Sequence, residues 1–232
     1  MSELQIHTFT DRETLDEQLA TRVSKALGDA VAERGKASLV VSGGSTPAGF
    51  FAALSCADLP WSEITVTLAD ERWVGPEHDD SNERLVRTQL LCGAAADARF
   101  LSLYTGAEDP ERAEDSLATA LGELGTFDAV VLGMGGDGHT ASLFPGSDAL
   151  VDGLNPAREC PCIAVRPLAA PHARMSLTLA RLLDARLLLI HITSEDKRAV
   201  LEIAQRDMDP TVLPIAAVLA ATSPAPLVYW AP

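Results

Sequence analysis

Positive charge is scarce in this chain. Lys and Arg number 18 against 33 Asp and Glu, a formal net charge of −15 over 232 residues. A nucleic-acid binder needs a basic surface to neutralise phosphates, so no nucleic-acid partner is expected. An anionic small molecule is not excluded, but it would need a local cluster of Arg, Lys and backbone N–H groups against the acidic background. Long apolar runs are missing too. None approaches the roughly 20 residues that span a bilayer, so no membrane partner is expected. The opening "MSELQIHTFTDRE" lacks the basic flank and apolar stretch of a secretory signal, which points to the cytoplasm. Cysteine is sparse: Cys56, Cys92, Cys160 and Cys162 form no C-x-x-C pair and no disulfide framework, and read as thiols of a reducing compartment. His7, His78, His172 and His191 show no metal-ligand spacing, so no metal is expected. The sequence carries no signal for oligomeric state, and a monomer is the default expectation.

What is present suffices for one sizeable core, with 47% of residues hydrophobic. Thr10–Glu13, "TDRE", has the capping-box pattern, and Leu15, Leu19, Val23, Leu27 and Val31 recur at i+4, so a long amphipathic helix is predicted over 11–34, ending at Gly35. "ASLVVS" (37–42) and "ITVTLA" (64–69) read as buried strands. Helices are predicted from Pro47, over 81–91, over 109–124 and over 194–204. "RMSLTLA" (174–180) and "RLLLIHIT" (186–193) read as strands flanking a short helix at "RLLDA", and "PLVYWA" (226–231) as a last strand. Strands alternating with helices imply an α/β fold: three layers, with a mostly parallel sheet covered by helices on both faces. No linker divides the chain, so a single domain over residues 1–232 is expected.

In such sheets ligands sit beyond the carboxyl ends of the strands, at helix starts. Three unusual stretches fall there. In "SGGSTP" (42–47), Gly43 and Gly44 allow close backbone approach, while Ser45 and Thr46 can cap the helix that Pro47 opens, leaving N–H groups for an anion; an ordinary strand-to-helix turn is the plainer reading. In "ADERWV" (69–74), Arg72 can stabilise an oxyanion or hold a carboxylate, and Asp70 can accept sugar hydroxyls or act as a base; a surface ion cluster is the alternative. Asn82, in the following "SNERL", reads equally well as a helix cap. The third stretch, "GMGGDGHTASLFPGS" (133–147), spells G-x-G-x-x-G through Gly133, Gly135 and Gly138. A dinucleotide fingerprint would also need an acidic residue closing a second strand about 20 positions on, and "ECPCIAV" does not supply one. The loop makes better sense as catalytic. His139 can serve as a neutral base, and Asp137 can orient it or contact substrate. Ser142 lacks the G-x-S-x-G elbow of a serine hydrolase. Arg174 and Lys197 suit phosphate, although each alone reads more readily as a solvated charge.

Taken together and in order, "SGGSTP", "DERWV…SNERL", "GMGGDGHTASLFPGS" and "PHARMSLT" resemble the 6-phosphogluconolactonases, which share a superfamily with the glucosamine-6-phosphate isomerases/deaminases. The resemblance covers roughly 40–197. It implies a modified Rossmann-like sheet that needs no nucleotide, no other cofactor, and a small phosphorylated sugar lactone as the substrate. It also implies that His139 is the base, with Asp137 and Arg72 beside it, and that the SGGSTP loop with Arg174 and Lys197 holds the phosphate. The deaminases carry N-E-P, whose Glu takes part in ring opening, where this chain has "LFP" (143–145), and D-E-Y where it has "DER". Both departures favour the lactonase. A deaminase or isomerase, and a sugar-phosphate sensor without catalysis, are the competing expectations.

Overall fold

The computed structural model describes residues 4–168 and 170–232. These form ten strands: β1 (Gln5–Thr8), β2 (Ala37–Val41), β3 (Ile64–Leu68), β4 (Asp70–Arg72), β5 (Arg99–Leu101), β6 (Ala129–Leu132), β7 (Cys162–Val165), β8 (Arg174–Leu177), β9 (Leu188–Thr193) and β10 (Leu227–Ala231). The helices are α1 (Arg12–Arg34), α2 (Ala48–Ser55), α3 (Asn82–Gln89), α4 (Glu114–Gly122), α5 (Leu150–Gly153), α6 (Leu179–Leu183), α7 (Glu195–Asp207) and α8 (Ile215–Leu219).

Seven strands make one sheet in the order β1-β10-β9-β6-β2-β3-β5, every pair parallel. Its central strands β2, β6 and β9 are buried along their whole length, which is why they read as mostly apolar runs rather than alternating ones. The chain leaves β2 outward through β3 to β5, then returns to β6 on the other side of β2. The strand order therefore reverses between β2 and β6, and a crevice opens there beyond their carboxyl ends.

Of the predicted stripe, helix α1 buries Leu15, Leu19, Val23 and Leu27 and leaves Val31 partly buried, and it ends at Gly35 with φ +72°. Its cap is not the expected Thr10. Asp11 takes the position and accepts from the Thr14 N–H at 2.8 Å, while the Thr10 hydroxyl donates to the Asp11 carboxylate. A carboxylate is the stronger acceptor at the positive end of a helix. The expected helix at 181–185 lies two residues earlier, because Thr178 caps α6 and cuts β8 short of the predicted 174–180. Over 109–124 a short 3-10 turn, Pro110–Ala113, precedes α4.

One feature was not expected. β4, β8 and β7 form a separate antiparallel sheet. It hinges on Ala69, whose N–H donates to the Val41 carbonyl of the large sheet and whose carbonyl accepts from the Leu177 N–H. The "DER" that directly follows β3 is thus a strand of its own.

Candidate active site

Four segments converge beyond the carboxyl ends of β2, β3, β6 and β9 around a cleft of about 330 Å³. It is lined by every predicted site residue except Asp137: Gly43, Gly44, Ser45, Thr46, Asp70, Arg72, His139, Arg174 and Lys197. Asp137 stands behind the wall, against the imidazole of His139.

The glycine loop after β6 is laced to the loop after β2. Ser42 N–H donates to the Val131 carbonyl, and Gly133 N–H donates to the Ser42 hydroxyl at 3.1 Å. No helix follows the glycines until α5 at Leu150. A dinucleotide turn needs a helix opening directly on its glycines, so this loop is not one. Instead it folds back on itself. Gly135 N–H donates to the His139 carbonyl, Thr140 donates to the Gly133 carbonyl, and the Ile215 N–H at the start of α8 donates to the Gly138 carbonyl. The fold-back brings His139 Nδ1 to 2.5 Å from Asp137 Oδ1, which also accepts the His139 backbone N–H. Gly135 is required here: a Cβ on it would lie 2.2 Å from the His139 ring. Burial works against the Asp137 carboxylate, but the charge, ring N–H and backbone N–H of His139 outweigh it and hold the carboxyl below its ordinary value. An anionic partner at Nδ1 leaves Nε2 as the free nitrogen of the neutral ring.

The small sheet supplies two of the three cations. Arg72 and Arg174 are directly paired across β4 and β8, so both side chains leave the same face. Like charges so placed repel, and among the described residues neither buried Nε–H finds a hydrogen-bond partner. Burial and the neighbouring Arg72 charge push the Arg174 guanidinium below its ordinary range. Arg72 also donates to the Asp80 carbonyl and Arg174 to the Pro171 carbonyl. Such a pair is poised for an anion, and Arg is the side chain whose fork matches phosphate or carboxylate. Lys197 enters from the first turn of α7, whose cap Ser194 is held at φ +82°. Burial, then the charge of Arg12, lower its amine from the ordinary value.

Two expectations are corrected. Ser45 and Thr46 do not cap α2: Pro47 takes the cap position, its carbonyl accepts the first helical N–H from Phe51, and no side-chain cap bond is made. With Gly44 at φ +90° the turn places both residues on the cleft wall. Asn82 is not the cap of α3 either; Ser81 is. The Asn82 amide donates to the Asp70 carbonyl at 2.9 Å and fills the space where Gly43 has no side chain, since a Cβ there would lie 1.9 Å from its oxygen. Ser142 is fully buried and donates to Asp70 Oδ2 at 2.6 Å, which leaves it no access as a nucleophile.

Sequence reasoning missed three residues. Glu71 is fully buried, and its carboxylate accepts the N–H groups of Arg72, Asn82 and Glu83 and the Ser81 hydroxyl. Burial raises its carboxyl above the ordinary value despite these four donors. Nothing in "DERW" separated Glu71 from its neighbours. His191 lines the cleft with its Nε2 3.3 Å from Asp16 Oδ1, and its one readable signal was a polar residue inside the apolar run "RLLLIHIT". Phe144 lies against the His139 ring, 4.3 Å between centroids. The histidines also meet differently from expectation: His78, Asp80 and His172 come together although their spacing shows no ligand pattern.

The family model of glucosamine-6-phosphate isomerases/6-phosphogluconolactonase matches residues 10–229. The chain belongs to this family. A relative from Rhizobium meliloti (strain 1021), named 6-phosphogluconolactonase, is 45% identical over 228 residues, 98% of each chain. One of the same name from Pseudomonas putida is 42% identical over 230 residues, 99% of this chain and 93% of its own. The crystal structure of a 6-phosphogluconolactonase from Shewanella baltica OS155 superposes with a TM-score of 0.96 at 42% identity, covering 100% of this chain and 99% of that one. The family has two branches, and the resemblance had separated them at "LFP". Phe144 stands where the deaminase pattern has its Glu, and its ring lines the cleft beside His139.

Proposed function

We propose that the chain hydrolyses 6-phospho-D-glucono-1,5-lactone to 6-phosphogluconate in the pentose phosphate pathway, as a carboxylic ester hydrolase of the cytoplasm acting within one domain. The observation that carries this reading is the His139–Asp137 pair opening onto the same cleft as the paired Arg72 and Arg174. The substrate offers an ester carbonyl at one end and a phosphate at the other, and the cleft offers a base and a set of cations.

Neutral His139 takes a proton through Nε2 from a water as that water attacks the lactone C1. Asp137 holds Nδ1–H and stabilises the imidazolium that forms. Negative charge builds on the carbonyl oxygen, where Arg72 or the glycine-loop N–H groups meet it. Collapse breaks the bond from C1 to the ring oxygen. That oxygen takes the proton back from His139, leaving a carboxylic acid that ionises. Arg174, Lys197 and the Gly43–Thr46 loop hold the phosphate, and that remote binding positions C1 against the base. Asp70, fixed by Ser142, faces the sugar hydroxyls as an acceptor. No step uses a covalent enzyme intermediate or a cofactor. The apolar Phe144 in place of a carboxylate favours lactone hydrolysis over amino-sugar ring opening.

The test is the disappearance of 6-phosphogluconolactone with and without the chain, the spontaneous hydrolysis subtracted. Glucosamine 6-phosphate serves as the second substrate. Accelerated lactone loss without ammonia release supports the reading; ammonia release with no lactone acceleration overturns it.

A further inference from the structure

We infer that His78, Asp80 and His172 form a binding site for a divalent transition-metal ion of the zinc type at the rim of the cleft. The three donors come from two separate segments, the turn before α3 and the turn before β8. One ligand atom from each lies within 4.8 Å of the other two. His172 Nε2 is 3.0 Å from Asp80 Oδ2, and His78 Nδ1 is 3.9 Å from the same oxygen. A tetrahedral ion with bonds of about 2.0–2.2 Å to nitrogen and oxygen needs its ligands roughly 3.3–3.6 Å apart. Two of the three spacings already bracket that value, and a small inward movement of His78 closes the third.

His78 Nδ1 accepts the Asp80 backbone N–H at 3.1 Å, so that nitrogen is unprotonated, and it gives up this hydrogen bond to bind the ion. His172 is held at φ +67°, a left-handed conformation costly for a residue with a side chain, and that conformation carries its ring toward Asp80. The two rings meet edge to face, 5.3 Å between centroids. All three side chains keep solvent access, so an ion can enter and retain water in the open positions. Two imidazoles and one carboxylate select zinc, cobalt or nickel over magnesium or calcium, which prefer all-oxygen shells. On binding, the ion replaces the proton in the His172–Asp80 hydrogen bond, and that proton passes to solvent. The charge of Arg72 opposes the ion, and the −15 of the whole chain favours it.

The site also explains why these loops would be clamped. The Asp80 carbonyl anchors Arg72 and the Pro171 carbonyl anchors Arg174. An ion shared by Asp80 and His172 ties the two anchors together directly behind the arginine pair.

The experiment is titration of the full chain with Zn²⁺ by calorimetry, and with Co²⁺ by visible absorption. One ion per chain is expected. His172→Ala and His78→Ala should each weaken binding at least about tenfold, the low end for loss of a group that supports a metal site. The thermal midpoint should rise with Zn²⁺ in the parent chain and not in the His78→Ala/His172→Ala double variant, whose fold is checked by circular dichroism. His139→Asn should bind as the parent does. The proposal is overturned if neither ion binds, if the double variant binds as tightly as the parent, or if His139→Asn abolishes binding. A thiolate-to-cobalt charge-transfer band would also overturn it, placing the ion on the exposed Cys56 or Cys92.

Discussion

His139 is set by three neighbours that do different things. Asp137 fixes the tautomer, Phe144 supports the ring, and the bare face of Gly135 makes room for both partners. If His139 is the base, His139→Asn lowers kcat by about 10²–10⁴-fold, the usual value of general-base help, with little change in KM. A variant with near-parental kcat would remove His139 from that role. Asp137 makes a separate prediction about pH. Its folded carboxyl lies below its ordinary value, so the His139 pair adds stability that is complete above the ordinary carboxylate pKa of about 3.9 and is lost as pH falls through the lower folded value. Half the side chain is in solvent, so the contribution is below about 1 kcal/mol. Urea unfolding of the parent and of Asp137→Asn should therefore differ slightly at neutral pH and converge in acid. A gap that stays constant as the pH falls would show that the charge is not what Asp137 contributes. Both residues were legible in the sequence, because a His and an Asp among glycines have no packing purpose. Phe144 was legible only as the absence of a Glu, and its place under the imidazole was not.

Short elements carry the rest of the site, and here the sequence was less informative. β2, β6 and β9 announce themselves because a strand buried on both faces is mostly apolar. β4 and β8 do not, since each is three or four residues long and its partner lies about a hundred residues away. Pairing at that separation leaves no local periodicity, so Arg72 and Arg174 could be named as cations but not as neighbours. What fixes β4 against α3 is Glu71. Its carboxylate closes the first turn of α3, where the helix presents its free N–H groups and the positive end of its dipole. Glu71→Gln keeps the size but turns an N–H donor toward donors, stranding at least one buried N–H. A loss of about 2–3 kcal/mol is expected in chemical denaturation. Because Asn82 donates its N–H to Glu71 and packs on Gly43, the same substitution should raise KM through the Gly43–Thr46 loop even where the variant is fully folded. Parental stability in Glu71→Gln would show that the carboxylate's burial cancels its four hydrogen bonds.

At the scale of the whole molecule the cleft is a seam between two sheets. The parallel sheet supplies the Gly43–Thr46 loop, the His139 loop and Lys197; the antiparallel sheet supplies Asp70, Arg72 and Arg174. The two are joined at Ala69, which hydrogen-bonds to both. A ligand that engages cations from both sides must then couple them. The central strands of the large sheet are buried and open only with global unfolding, whereas the three-stranded sheet is small and can open locally. A ligand at 100 times its Kd adds about 2.7 kcal/mol to every opening that destroys its site. Saturating 6-phosphogluconate should thus slow amide exchange of β4 and β8 by up to about a hundredfold, the factor to which that energy corresponds. The α1 amides near Arg34, which precedes the amino end of β2 while the cleft lies beyond its carboxyl end, should change only as much as global stability does. Slowing confined to the Gly43–Thr46 and Gly133–His139 loops, with β4 and β8 unaffected, would mean that Arg72 and Arg174 do not hold the ligand. The paired arginines would then need another anion to explain them.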